Sequence, residues 1–207
     1  MFGDLFDRLA DLSGSPWFLL AVFAIALLDS VIPVVPSETM VIIGGVAAGQ
    51  GNQILSLVIA AGAIGAFLGD NLAYQLGAKG GPLIRRTLFR GEKGARRLDA
   101  AGRQLRQRGG LLLITGRFIP GGRTALTISS GLTAQPRRRF ALFVGLAVTI
   151  WATYAALLGF IGGKNFEDNH TVAFLFAFGA AVSMTVLIEL GRAVWHRTRP
   201  APQPALD

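Results

Sequence analysis

The sequence predicts an all-α polytopic membrane protein. It is expected to be an inverted repeat, each half a re-entrant hairpin plus a transmembrane helix, with an additional C-terminal transmembrane helix. Three observations predict this. Hydrophobic residues make up 52% of the 207-residue chain and charged ones only 15%. With a mean hydropathy of +0.51, the chain is too apolar for a soluble protein of this size. Positive charge is gathered into clusters, and two proline-bearing, charged stretches break apolar runs that would otherwise read as helix.

The net charge of +8 therefore marks topology, and no nucleic-acid partner is expected. Cysteine is absent, which excludes disulfides, thiolate metal sites and Cys nucleophiles. His170 and His196 fall short of the three or four ligands a zinc ion takes. No metal and no cofactor are expected.

Residues 1–15 carry Asp4, Asp7 and Asp11 against Arg8. They lack the positive start of a secretory signal and read as a short amphipathic helix with Leu5, Leu9 and Leu12 on one face. Trp17 to Leu28 is an apolar run ended by Asp29. As helix it rises about 18 Å, short of the ~30 Å hydrocarbon core. Pro33 and Pro36 then break helical geometry, Glu38 follows, and Thr39 to Gly49 is apolar again. The reading is two half-helices meeting at a broken centre; a full crossing by Trp17–Leu28 stays open.

Ile54 to about Gly77 is the first full span, interrupted by Asp70, with Gly62, Gly65 and Gly69 as a small-residue packing face. Residues 82–108 carry nine basic residues against Glu92 and Asp99, with leucines interspersed. This suits an amphipathic linker lying on an anionic leaflet, with residues 85–108 as the contact; a solvated loop is the simpler reading. Gly109 to Pro136 is apolar apart from Arg117 and Arg123, with Pro120, Gly121 and Gly122 supplying a bend. Arg137–Arg139 precede a second span, Phe140 to Gly163. The final helix covers about 171–195, and 196–207 is expected to be disordered. One membrane domain, 1–195, results, with repeat 1 at about 17–81 and repeat 2 at about 109–163. A homo-oligomer is left open.

The clusters at 85–108, 137–139 and 192–199 should share the cytoplasmic side. The apolar segment between the first two must then enter and return, and the C-terminus is cytoplasmic. Working backwards, the first hairpin enters from outside. The two hairpins also share local sequence: Ile32-Pro33 with Glu38-Thr39, and Ile119-Pro120 with Arg123-Thr124. Eleven residues lead from each Thr to Gln50 and Gln135. Leu76-Gly77-x-x-Gly80-Gly81 likewise matches Leu158-Gly159-x-x-Gly162-Gly163. Opposed hairpins of this kind are a transporter signature.

Isolated intramembrane charges cost several kcal/mol. Asp29, Glu38, Arg117 and Arg123 must therefore be paired or face a wet cavity. Two arginines near half-helix ends suit phosphate or another oxyanion, and the carboxylates suit ion pairing or a proton. Asp70 is either a third polar group of the site or an interhelical hydrogen-bond partner. Tyr74 and Trp151 read as packing residues or interfacial anchors. Ser129 and Ser130 lack a base at recognisable spacing, so no enzyme is expected. A proton-coupled transporter of small ions or solutes is the alternative that these charges leave open.

These residues resemble the DedA family of bacterial membrane proteins, whose core is shared with eukaryotic VTT-domain lipid scramblases. The match rests on Asp29, Pro33, Pro36 and Glu38; on Gly69-Asp70-x-x-x-Tyr74-x-x-Gly77; and on Arg117-Phe118-Ile119-Pro120-Gly121-x-Arg123 with Gly131. It covers about residues 17 to 163. The resemblance implies translocation of a phosphate-bearing lipid, either undecaprenyl phosphate recycling or phospholipid flipping. It further implies proton linkage, in the bacterial cytoplasmic membrane. The functional residues it implies are Asp29, Glu38, Arg117 and Arg123. Asp29 stands where many members carry Glu, a shorter reach.

Overall fold

The computed structural model describes residues 14–32, 37–81, 91–116 and 122–166, with Val172, Leu175 and Gly179 as isolated helical positions. The N-terminal segment, Pro33, Pro36, residues 82–90, Arg117, Pro120, Gly121, nearly all of the expected final helix and the tail lie outside the described residues. The described elements are helices: α1 (Pro16–Val31), α2 (Ser37–Gly49), α3 (Leu55–Lys79), α4 (Gly91–Thr115), α5 (Gly122–Leu132) and α6 (Arg137–Asn165).

Local chemistry fixes their ends. Ser15 caps α1, its hydroxyl accepting from the Trp17 amide at 3.3 Å, with Pro16 in the first turn where a missing N–H costs nothing. The next proline, Pro33, cannot continue the helix. α1 nevertheless runs to Val31, so Asp29 does not end the apolar helix as the sequence suggested; it lies in the last turn. Its charge is met from another helix, as described below. Arg137–Arg139, expected to precede the second span, instead form the first turn of α6, which begins right after Pro136. All three are exposed, and arginine is a good helix former.

The lengths sort the helices. α3 has 25 residues and α6 has 29, about 37 and 43 Å at 1.5 Å per residue, and both are apolar enough to cross a bilayer. α1 and α2, with 16 and 13 residues, reach only about 24 and 20 Å. α4 merges two helices across non-helical geometry at Arg108 (φ −131°, ψ 15°). That kink falls at the junction between the basic linker and the apolar run.

Contacts define the arrangement. α1 and α2 are antiparallel, with Phe18 beside Gly44 and Ser37 beside Asp29. α4 and α5 are antiparallel too, with Gly116 against Leu126 and Gly102 against Thr133. α3 and α6 cross antiparallel, Gly62 lying near Ala152 and Gly145 near Phe67. Each long helix takes one short helix in close contact. α2 lies on α6, where a methyl group at Gly45 would sit 2.2 Å from the Ala156 carbonyl oxygen and one at Gly159 2.2 Å from that of Ile42. α5 lies on α3, where a methyl group at Gly131 would sit 2.1 Å from the Tyr74 carbonyl oxygen and one at Gly77 2.2 Å from that of Ile128. Such backbone-to-backbone approach is what small residues allow in lipid, where dispersion rather than water drives association. Gly65 and Gly69 accept α1 on α3 in the same way.

The buried core runs through Val22, Val41, Ile42, Val58 and Phe140, all 0% exposed. Tyr74 and Trp151 are both buried within it, so they pack rather than anchor at an interface. Tyr74 stacks on Phe140 with centroids 4.5 Å apart.

One sequence correspondence fails. Both α2 and α5 end in Schellman turns: Asn52 N–H bonds the Ala47 carbonyl, and Gln135 N–H that of Ser130. The left-handed positions are Gly51 (φ 82°) and Ala134 (φ 52°). Gln50 therefore precedes its left-handed residue and Gln135 follows its own. Counting from Thr39 and Thr124 paired them only because it ignored that α5 ends two residues sooner than α2 (11 against 13 residues).

Candidate functional site

The last turn of α1 and the first turn of α5 meet beside Asp70, near the middle of α3. Arg123 is the second residue of α5, so its side chain leaves the helix end facing α1 and α3. Its Nη2 donates to Asp29 Oδ2 at 3.0 Å, and its Nε lies 3.6 Å from Asp70 Oδ1. The guanidinium is 14% exposed, Asp29 16% and Asp70 1%. One cation from α5 thus binds one carboxylate from α1 and one from α3. The pairing compensates the desolvation of these charges, most of all that of Asp70.

Two hydroxyl groups complete the junction. Ser37 Oγ donates to Asp29 Oδ2 at 2.5 Å, joining the start of α2 to the last turn of α1. Thr124 Oγ1 lies 3.5 Å from the Ser30 carbonyl oxygen, tying the start of α5 to the last turn of α1. Ser30 bonds backwards to the Ala26 carbonyl at 3.0 Å and across to that of Ala66 at 3.3 Å. Gly69 makes room for it: a methyl group there would lie 2.6 Å from Ser30 Cβ. Thr127 donates to the Arg123 carbonyl within α5.

Glu38 begins α2 as Arg123 begins α5, each the second residue of its helix. It lies within electrostatic reach of Asp29 on α1 and of Tyr154 on α6. The α2–α6 register agrees: Gly159 abuts Ile42, and one turn earlier on both helices brings Glu38 level with residues 154–155. Asp29, Glu38, Asp70 and Arg123 are therefore gathered at one level. Gly122 opens α5 rather than lying in the break. Arg117, Pro33, Pro36, Pro120 and Gly121 lie outside the described residues.

Sequence reasoning missed Ser30, Ser37 and Tyr154. Ser30 and Ser37 each adjoin a candidate acid, and a polar residue after Pro36 was the available signal. Tyr154 carried none, being one aromatic among many on an apolar span. Ser129 and Ser130 are as expected from their surroundings; Ser130 is buried and bonds back to the Leu126 carbonyl.

Ser37→Ala is expected to cost about 1 kcal/mol, the net worth of one such bond inside a helical membrane bundle. Thermal unfolding in detergent would register it; a wild-type melting temperature would mean the bond contributes nothing.

The fold and this junction define a helical membrane protein. The VTT domain profile matches residues 35–161. An uncharacterized membrane protein of Synechocystis sp. is 30% identical over 168 residues, 78% of this chain and 77% of that protein. Inner membrane protein YohD of Escherichia coli is 30% identical over 174 residues, 81% of this chain and 86% of that protein. Undecaprenyl phosphate transporter A of Bacillus subtilis is 25% identical over 172 residues, 81% and 85%. No solved structure matches the chain. The chain belongs to the VTT-domain family, the DedA membrane proteins.

Proposed function

We propose that this protein moves a phosphate-bearing lipid across the bacterial cytoplasmic membrane, by two re-entrant hairpins arranged as an inverted repeat. The observation that carries the reading is Arg123, shared by Asp29 and Asp70 where the hairpin tips meet. A guanidinium already holding two oxygen anions at this depth has the donor geometry a phosphate needs. Arg117, two residues after α4 ends at Thr115, would be the second donor.

Several features support the arrangement. α1 and α2 are too short to cross singly. The close contacts of α2 on α6 are repeated by α5 on α3 in corresponding order. The exposed arginines of α4 and α6 and exposed Lys79 gather at one end of the bundle, which the positive-inside rule assigns to the cytoplasm. The relative named as an undecaprenyl phosphate transporter supports a polyprenyl phosphate over other phosphate-bearing lipids.

Charge balance supports proton linkage. With Arg117 as the second donor, Asp29, Glu38 and Asp70 outnumber the arginines by one, so one proton would neutralise the site when empty. A phosphate entering it must displace a carboxylate from Arg123, and protonating that carboxylate removes the competitor. The chain acts in this reading as a transporter and not as an enzyme.

The test is transport in proteoliposomes. Labelled undecaprenyl phosphate should change leaflets faster with protein than in empty vesicles, and faster than labelled phospholipid. Arg123→Lys should slow it about tenfold or more, because an ammonium cannot replace the fork. No movement of either lipid, or flux of soluble phosphate alone, would overturn the reading.

A further inference from the structure

The lower half of α4 is amphipathic in a way that the transport site does not use. Gly102, Leu105, Gly109 and Gly110 are buried, whereas Arg103, Arg106 and Arg108 point outward. α6 lies beside it, with Gly110 against the Phe143 ring, and its first turn exposes Arg137, Arg138 and Arg139. Both helices change character at one level. Leu111 follows Arg108 at 62% exposure, and Leu142 follows Arg139 at 60%. An abrupt change from exposed arginine to exposed leucine on adjacent helices marks where headgroups give way to acyl chains. The six arginines stand at headgroup depth.

Directly beneath them is a buried polar link. Gln135, 4% exposed, donates from Nε2 to the Leu105 carbonyl at 2.8 Å. Its own carbonyl accepts from the Tyr74 hydroxyl at 2.6 Å. Leu105 is 1% exposed and sits between Arg103 and Arg106 in sequence. Tyr74 stands one helical turn after Asp70 on the same face of α3, and Asp70 holds Arg123. The turn carrying Gln135 also holds Ala134 left-handed at φ 52°, a conformation that is unfavourable for an L-residue. It persists because its neighbours are fixed, so anything that shifts α4 loads this turn.

We propose that the six-arginine rim binds anionic phospholipid headgroups of the surrounding leaflet, and that Gln135 transmits that binding to α3 through Tyr74. This is a regulatory lipid surface, separate from the transported lipid's site. It holds whether or not the transported substrate is a polyprenyl phosphate. Each arginine near an anionic surface adds to the attraction, and three of the six lie on α4.

Hydrogen exchange in two vesicle types tests it, with phosphatidylcholine alone or mixed with phosphatidylglycerol. In the wild type, phosphatidylglycerol should slow exchange in residues 102–110 and also in 74–80, by about fivefold or more, the lower range of ordinary coupling. In Gln135→Leu the slowing should remain at 102–110 and vanish at 74–80. Tyr74→Phe, which removes only the hydroxyl donor, should do the same and covers the case in which the Leu variant does not fold. The proposal is overturned if phosphatidylglycerol leaves 102–110 unchanged in the wild type. It is equally overturned if both variants keep the slowing at 74–80, or if inorganic phosphate added to phosphatidylcholine vesicles reproduces the effect.

Discussion

Arg123→Ala is expected to abolish lipid movement and to destabilise the fold by about 3–5 kcal/mol, the usual consequence of breaking a buried ion pair. Asp70 is the reason for the second effect. At 1% exposure it cannot recover in water what it loses, whereas Asp29, at 16% and still bonded by Ser37, can in part. The two effects separate in a double variant. Arg123→Ala with Asp70→Asn removes the stranded charge, so most of the lost stability should return while transport stays absent. Thermal unfolding in detergent and leaflet exchange of labelled lipid read the two quantities independently. If Arg123→Ala alone melted like the wild type, the pairing with Asp70 would carry no weight. If the double variant regained transport, Arg123 would be a structural residue only.

Asp70 also illustrates what the sequence could convey. An acid in an apolar span announces itself, since intramembrane charge is costly, and so do two arginines beside Pro120. Apolar run lengths, glycine runs and arginine clusters located the two long helices and the boundary between the basic linker and the apolar run, because each reflects a local rule of backbone or bilayer. What stayed hidden was three-dimensional. Nothing in the spacing of Asp29, Asp70 and Arg123 says that one guanidinium binds both carboxylates, for they lie on three helices. Ser37 and Ser30 looked like ordinary small residues, and their partners come from folding. Helix ends were misjudged where charge misled: Asp29 and Arg137–Arg139 were read as boundaries, yet a carboxylate with a counter-ion and arginines facing outward both continue a helix at little cost. The Gln50–Gln135 match failed because residue counting cannot detect that α5 is shorter than α2.

Gly159→Leu is expected to separate α2 from α6 and to destabilise the protein by about 3 kcal/mol or more, at the upper end of overpacking costs. Even a methyl group at Gly159 would lie 2.2 Å from the Ile42 carbonyl oxygen, 2.9 Å from the Val46 amide nitrogen and 3.0 Å from Gly45 Cα. All three obstacles are backbone, so no rotamer change relieves them and the helices must part. α2 begins with Ser37 and Glu38, and its displacement pulls on the Ser37–Asp29 bond and so on the site itself; transport should fall with stability. Gly145→Ala on the same helix is the control, because its new methyl group would meet only the Phe67 ring at 3.8 Å. There the better helix propensity of alanine, about 1 kcal/mol, should make the variant neutral or slightly more stable. A Gly159→Leu protein with wild-type melting temperature and transport would mean that α2 and α6 are not held at this distance. Equal damage from both substitutions would point to a general sensitivity of α6 rather than to this contact.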